Sequence, residues 1–221
     1  SVQSTRKITS AMKMVASSKL HHAQMMIENM LPYENLLESM LKTYLEAEVD
    51  ARTVLTLPRE VKKAALIVFA SNSSLCGGFN ANVLKMMQQA VDGYKKRGVE
   101  VIIYPVGRKV SEKVNKLGLN TAGNFNSLAD KPNARDCVKI GEELQELFRK
   151  DEIDAVEMIY HHFKSAGSQI LLTKKLLPID VEKAMDYDHT RDLENNVVTA
   201  GVQAYLDEQG GHKALGGKSS E

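Results

Sequence analysis

AALIVFASNSSLCGGFN, residues Ala64–Asn80, opens with seven apolar residues in a row and closes in a loop of serine, asparagine and two adjacent glycines. A continuous apolar run of that length predicts a strand buried on both faces, as in a parallel sheet covered by helices. Outward from it the texture repeats. Asn80–Arg97 reads as a helix stopped by Gly98, Val99–Val106 as a second strand, and Gly107–Leu117 as a second helix ending at Gly118. Pro132–Lys150 reads as a third helix with Cys137, Ile140, Leu144, Leu147 and Phe148 on its apolar side. Ala155–Phe163 reads as a strand, and Lys164–Gly167 as a turn into Ser168–Thr173 and onward toward Ile179. Alternating strands and helices predict an α/β fold with a Rossmann-like, mainly parallel sheet. The last turn is too short for a crossover, so the final strand pair is expected to be antiparallel.

Before this domain lies a different kind of sequence. Met12, Met14, Met25, Met26 and Met30 all fall in the first thirty residues, a stretch without proline, glycine or aromatic residues. Ile8, Met12, Val15, Ala23, Met26 and Met30 follow a helical seam, which Tyr33, Leu37, Met40 and Tyr44 resume. One helix from Thr5 to Glu48 extends about 65 Å, more than a globular core requires. Pro32 marks the point where a kink or break is expected. Arg6, Lys7, Lys13 and Lys19 charge its first half, and Glu28, Glu34, Glu38, Glu46 and Glu48 its second. The expected organisation is a shaft region at 1–58, an α/β domain at 59–185 and a tail at 186–221, where Asp192–Glu208 reads as a short helix.

Composition narrows the function classes. With 29 Lys and Arg against 28 Asp and Glu in 221 residues, the chain has no charge excess for a polyanion. No apolar run reaches the roughly 18 to 20 residues of a membrane span, and SVQSTRKITS lacks the apolar core of a secretory signal. Two cysteines, Cys76 and Cys137, make no disulfide framework and point to a reducing compartment.

The Ser71–Asn80 loop stands at the carboxyl end of a strand, the place where a parallel sheet binds ligands. Its adjacent glycines match neither dinucleotide nor P-loop spacing, and no lysine accompanies them. A tight structural turn shaped by Gly77 and Gly78 is the favoured reading, with Cys76 as a small buried residue. A nucleotide-binding α/β module or enzyme using this loop, with the helix as a dimerisation arm, is the alternative. His21–His22 and His161–His162 are adjacent pairs, which do not chelate by themselves. Asp151, Glu152 and Asp154 read as a solvated turn, with no base or nucleophile beside them. No catalytic residue, cofactor site or metal site is expected. The basic helix lacks aromatics for base stacking and bulky residues for a bilayer surface, which favours a protein partner. Self-pairing of its stripe is a third reading.

SVQSTRKITSAMKMVASSKL at Ser1–Leu20, followed by Ala23–Gln24, resembles the N-terminal helix of the gamma subunit of rotary F-type ATP synthases. LCGGFN at Leu75–Asn80 is similar to that family's second signature, and the resemblance runs through LLPID at Leu176–Asp180. It implies a non-catalytic rotor shaft whose N-terminal helix belongs to an antiparallel coiled coil inside the alpha–beta ring. It also implies an α/β domain near the epsilon subunit and the membrane c-ring, with no cofactor. On the same ground Arg6, Lys7, Met12, Lys13 and Lys19 are expected to meet the ring. The opening residues lack an Arg- and Ser-rich, acidic-poor presequence, which favours a peripheral place on the cytoplasmic face of the bacterial membrane over an organellar inner membrane. The family's long C-terminal helix is not recognisable in Val181–Glu221.

Overall fold

The computed structural model describes residues 2–47, 54–165 and 167–180. The tail and its expected helix Asp192–Glu208 lie outside the described residues. The chain divides into two compact units, one holding the N-terminal helix and the other running Arg52–Asp180.

The first unit is built on α1, a helix of 46 residues, Val2–Ala47. At 1.5 Å per residue it is about 69 Å long. Pro32 lies inside it without ending it. Proline removes one backbone bond and crowds the carbonyl four residues earlier, at about 3 kcal/mol. Stopping and restarting the helix costs a second nucleation and leaves further backbone groups unpaired.

The second unit is a four-stranded sheet in the order β2-β1-β3-β4. β1 (Lys63–Phe69) pairs in parallel with β2 (Glu100–Val106) from Lys63 opposite Glu100 to Phe69 opposite Val106. On its other side β1 pairs in parallel with β3 (Ala155–Ser165), from Ala64 opposite Ala155 to Val68 opposite Ile159. β4 (Ser168–Leu177) returns antiparallel along β3. This is the mixed, mainly parallel sheet expected from the strand spacing. β3 outruns β1 beyond Ile159, and from there only β4 pairs with it among the described residues.

Helices cover both sheet faces. α2 (Phe79–Lys96) and α3 (Arg108–Leu117) lay Val83, Met87, Val91, Val110 and Val114 against Leu66 and Val68. On the opposite face α4 (Asn126–Asp130) and α5 (Ala134–Arg149) bring Leu128, Leu144 and Phe148 onto Ala65, Ile67 and Val156. Five consecutive β1 residues, Ala64–Val68, are buried, which is why that strand reads as an unbroken apolar run. Each large side chain so buried contributes about 1.5 to 3 kcal/mol.

Cys137 departs from expectation. It is exposed, because α5 engages the core only from Ile140 onward, through Leu144 and Phe148. The helix starts on Asn133, whose side chain accepts from the Asp136 amide at 2.9 Å.

The β2–α3 junction is the tightest point of the fold. Gly107 has φ +111°, and a Cβ there would lie 2.1 Å from the carbonyl oxygen of Ala70. The Ala70 amide donates to the Val106 carbonyl at 2.9 Å, which holds the two backbones at that separation.

Candidate functional site

The candidate interface residues on α1 are exposed, as is every described residue from Val2 to Met30 except Gln24 and Met26, which are half-buried. Met12 is 52% and Met30 56% exposed, so among the described residues the stripe is largely uncovered. Successive helical residues turn by about 100°. Arg6 and Lys13, seven apart, therefore share one direction, and Met12 and Lys19, also seven apart, share another within the apolar stripe. Lys7 points a third way, near Met14 and Met25. The candidate residues do not form one flat patch. They meet a common partner only if it encloses the helix.

The loop between β1 and α2 is closed on itself by Asn80, a buried polar residue that sequence reading passed over. Its Nδ2 donates to the Ser73 carbonyl at 2.8 Å and lies 3.0 Å from both Ser71 Oγ and Cys76 Sγ. Its Oδ1 accepts from the Ser71 amide at 3.0 Å. An asparagine closing the LCGGFN run at the start of a helix was the available signal. Of the two glycines only Gly77 has a positive φ, +55°. Gly78 precedes α2 with φ −78°, and a Cβ there would make ordinary contact with Asn82 at 3.4 Å. Cys76 is half-buried rather than buried, since its sulfur serves as a partner for Asn80 and Ser71 at the loop surface.

Basic groups near the loop are engaged elsewhere. Asn72 Oδ1 accepts from the Arg108 amide at 2.7 Å, and the Arg108 side chain donates to the Asn72 carbonyl. Arg108 and Lys109 both pair with Glu112, at 3.7 and 2.9 Å. The hydrogen bond from Lys109 holds the Glu112 carboxyl below its usual range. A cleft of about 310 Å³ opens beside the loop, lined by Phe69, Ala70, Phe79, Met158, Tyr160 and His161. It carries no lysine or arginine for a polyphosphate, which leaves the nucleotide-binding alternative without support.

His161 stacks on Phe79 with ring centroids 4.1 Å apart, and its Nδ1 is buried without a hydrogen-bond partner among the described residues. Burial lowers its pKa. The unfolded chain therefore takes up a proton that the folded chain refuses as pH drops below about 6.5, and stability falls across that window. We expect urea unfolding midpoints of the wild type to drop between pH 7.5 and 5.5 (values set about one unit either side of the free histidine) more than those of His161→Gln. Equal pH dependence in the two would refute this. His162, next on β3, is exposed, and His21 and His22 stand exposed on α1.

Asp154 corrects the solvated-turn reading. It is 8% exposed, and its Oδ2 accepts from the amides of Lys62 and Lys63 at 2.9 and 3.0 Å. Its Oδ1 lies 3.4 Å from Arg59 Nε. Arg59 also pairs with Asp151, donates to the carbonyls of Phe148 and Ile153, and lies over the Phe148 ring. Sequence reading did not single out Arg59, because its partners lie some ninety residues further along the chain.

Comparison with known proteins agrees over the whole chain. The ATP synthase family model matches residues 1–221. The ATP synthase gamma chain of Bacteroides fragilis is 49% identical over 207 residues, covering 93% of this chain and 71% of that relative. The gamma chain of Phocaeicola vulgatus is 46% identical, covering 94% and 72%. A looser structural likeness, TM-score 0.49 at 19% identity, links 81% of the chain to 84% of a chain in the central stalk and c-ring of the Tetrahymena thermophila mitochondrial ATP synthase. The assignment rests on the sequence matches. With half its residues shared with gamma chains over most of its length, this chain belongs to the ATP synthase gamma-chain family.

Proposed function

We propose that the chain is the central rotor shaft of an F-type ATP synthase, with α1 standing inside a ring of alternating alpha and beta subunits. The observation that carries this reading is the distribution of Arg6, Lys7, Met12, Lys13 and Lys19 around α1, since only an enclosing partner meets every direction of a helix. A second observation concerns the α/β unit. The Ile179 amide donates to the Leu55 carbonyl at 2.7 Å, so the chain enters and leaves that unit side by side. Ends that lie together suit a unit inserted between the two segments of an antiparallel coiled coil.

In this role the chain catalyses nothing. The alpha–beta head carries ATP chemistry, and the α/β unit meets the epsilon subunit and the c-ring at the cytoplasmic face of the membrane. Among the described residues no helix is long and apolar enough to cross that membrane, so attachment is through the complex. Turning an asymmetric shaft favours a different conformation at each head site. Moving one site from 1:99 to 99:1 takes about 5.5 kcal/mol, which the shaft must deliver without yielding.

The test is reconstitution of the purified chain with separately purified alpha and beta subunits. A stoichiometric complex with stimulated ATP hydrolysis is expected; failure to assemble would defeat the reading. Lys13→Glu with Lys19→Glu is expected to weaken capture by the ring by about tenfold or more. Its thermal midpoint should stay near that of the wild type, because exposed charges contribute little to stability. Parallel loss of fold and capture would contradict a docking role.

A further inference from the structure

In a mainly parallel sheet the place for a ligand is the crevice at the carboxyl ends of two neighbouring strands whose connections leave in opposite directions. In this sheet those strands are β1 and β3. From β1 the chain crosses through α2 to β2 on one side, and from β3 it turns into β4 on the other. The cleft of Phe69, Ala70, Phe79, Met158, Tyr160 and His161 lies at that spot.

The crevice is open because the two strands part. The Ala70 amide bonds to the Val106 carbonyl, and the Ser71 carbonyl accepts from the Lys109 amide at 3.4 Å, so the continuation of β1 is drawn toward β2 and α3. β3 runs on without it. Along Tyr160–Ser165, about 20 Å at the rise of a strand, nothing pairs with the β1 side of β3 among the described residues. A strand edge of that kind can accept an extended segment.

The surroundings indicate which segment fits. The crevice walls are largely apolar, and the cross-strand partners of Tyr160 and His162, Leu172 and Ile170, are 37% and 42% exposed on the same face. Charge there has one sign. Met158–Leu177 contains Lys164, Lys174 and Lys175 and neither aspartate nor glutamate. Lys164 is exposed at the free edge and has no ion pair among the described residues.

We propose that this crevice docks an extended acidic segment of another protein, which adds to β3 as a strand along Tyr160–Ser165 and buries an apolar side chain between Phe69, Phe79 and Met158. Backbone pairing supplies orientation, the crevice an anchor, and Lys164 a preference for carboxylates. Nothing in this docking depends on α1 or on rotation.

The test titrates the full chain with a capped octapeptide that alternates glutamate with valine around one phenylalanine, and follows amide hydrogen exchange. Severalfold slower exchange confined to residues 160–165 is expected. β4 also has an open edge, along Ser168–Leu177, but no crevice beside it, and should exchange as before. Lys164→Glu is expected to weaken binding severalfold while keeping the thermal midpoint, since an exposed charge contributes little to the fold. The same peptide N-methylated on its pairing edge should not bind. Absence of protection at millimolar peptide would overturn the proposal, as would protection confined to β4. Equal affinity for a peptide with lysine in place of glutamate would refute the acidic partner. Equal binding of phenylalanine amide alone would make the crevice a small-molecule site, and protection of residues 160–165 that grows with chain concentration without peptide would make the occupant a second copy; either result also overturns it.

Discussion

Gly107→Ala is expected to be strongly destabilising. At φ +111° a side chain is already strained, by about 1 to 3 kcal/mol. The added carbon would also sit 2.1 Å from the Ala70 oxygen and 2.7 Å from its carbonyl carbon. Those are backbone atoms with no rotamer to yield. Moving them means breaking the Ala70–Val106 bond and the ends of the central strand pair. Strain and overpacking together amount to about 2 to 6 kcal/mol, against a total stability of about 5 to 15 kcal/mol for an ordinary domain. Gly141 is the useful contrast. It lies inside α5, and a methyl group added to it would meet nothing within 4 Å, so Gly141→Ala should stabilise by about 0.5 to 1 kcal/mol. Urea unfolding of both variants checks the pair. A Gly107→Ala midpoint equal to that of the wild type would show that the two backbones do not meet as described.

The second large effect is expected at Asp154. Asp154→Ala removes the acceptor of two backbone amides and one partner of a half-buried guanidinium. Leaving a buried charge network broken costs about 3 to 5 kcal/mol, more than the cavity alone. Asp154→Asn keeps one oxygen for the Lys62 and Lys63 amides and should recover part of that loss. Chemical denaturation of the two variants distinguishes the cases. A cost below about 1 kcal/mol for the alanine variant would mean that the carboxylate is merely a solvated surface group.

These expectations show where sequence reading reached its limit. β1 was legible because burial on both faces leaves an uninterrupted apolar run, and the β3–β4 pair because its turn is too short for anything but a hairpin. α1 was legible from its stripe, although Pro32 suggested an interruption that helix cooperativity overrides. Asp154 was misread because its charge is local information while Arg59, which makes burial tolerable, is far away in sequence. α4 was not foreseen, since five residues carry no period, and it is fastened by Leu128 and by the Asn72 side chain, 2.9 Å from the Asn126 carbonyl. Cys137 misled for a similar reason: periodicity says which side of a helix is apolar, not where along its length the sheet begins to cover it. At the candidate interface the charges were visible in the sequence, while their directions, one shared by Arg6 and Lys13 and others taken by Lys7 and Lys19, follow from the 100° step of α1.

The neighbouring positions of Leu55 and Ile179 also bear on how such a chain can change over evolutionary time. A body that begins and ends at one spot is a guest in its host: it can be lengthened, exchanged or removed at that doorway with little change in the distance its host must bridge. A short loop could replace Arg52–Asp180, and a foreign fold with adjacent ends could occupy its place. The foot and the shaft of this protein are thus free to diverge at different rates, each answering to its own neighbours, with the doorway as the part they must keep in common.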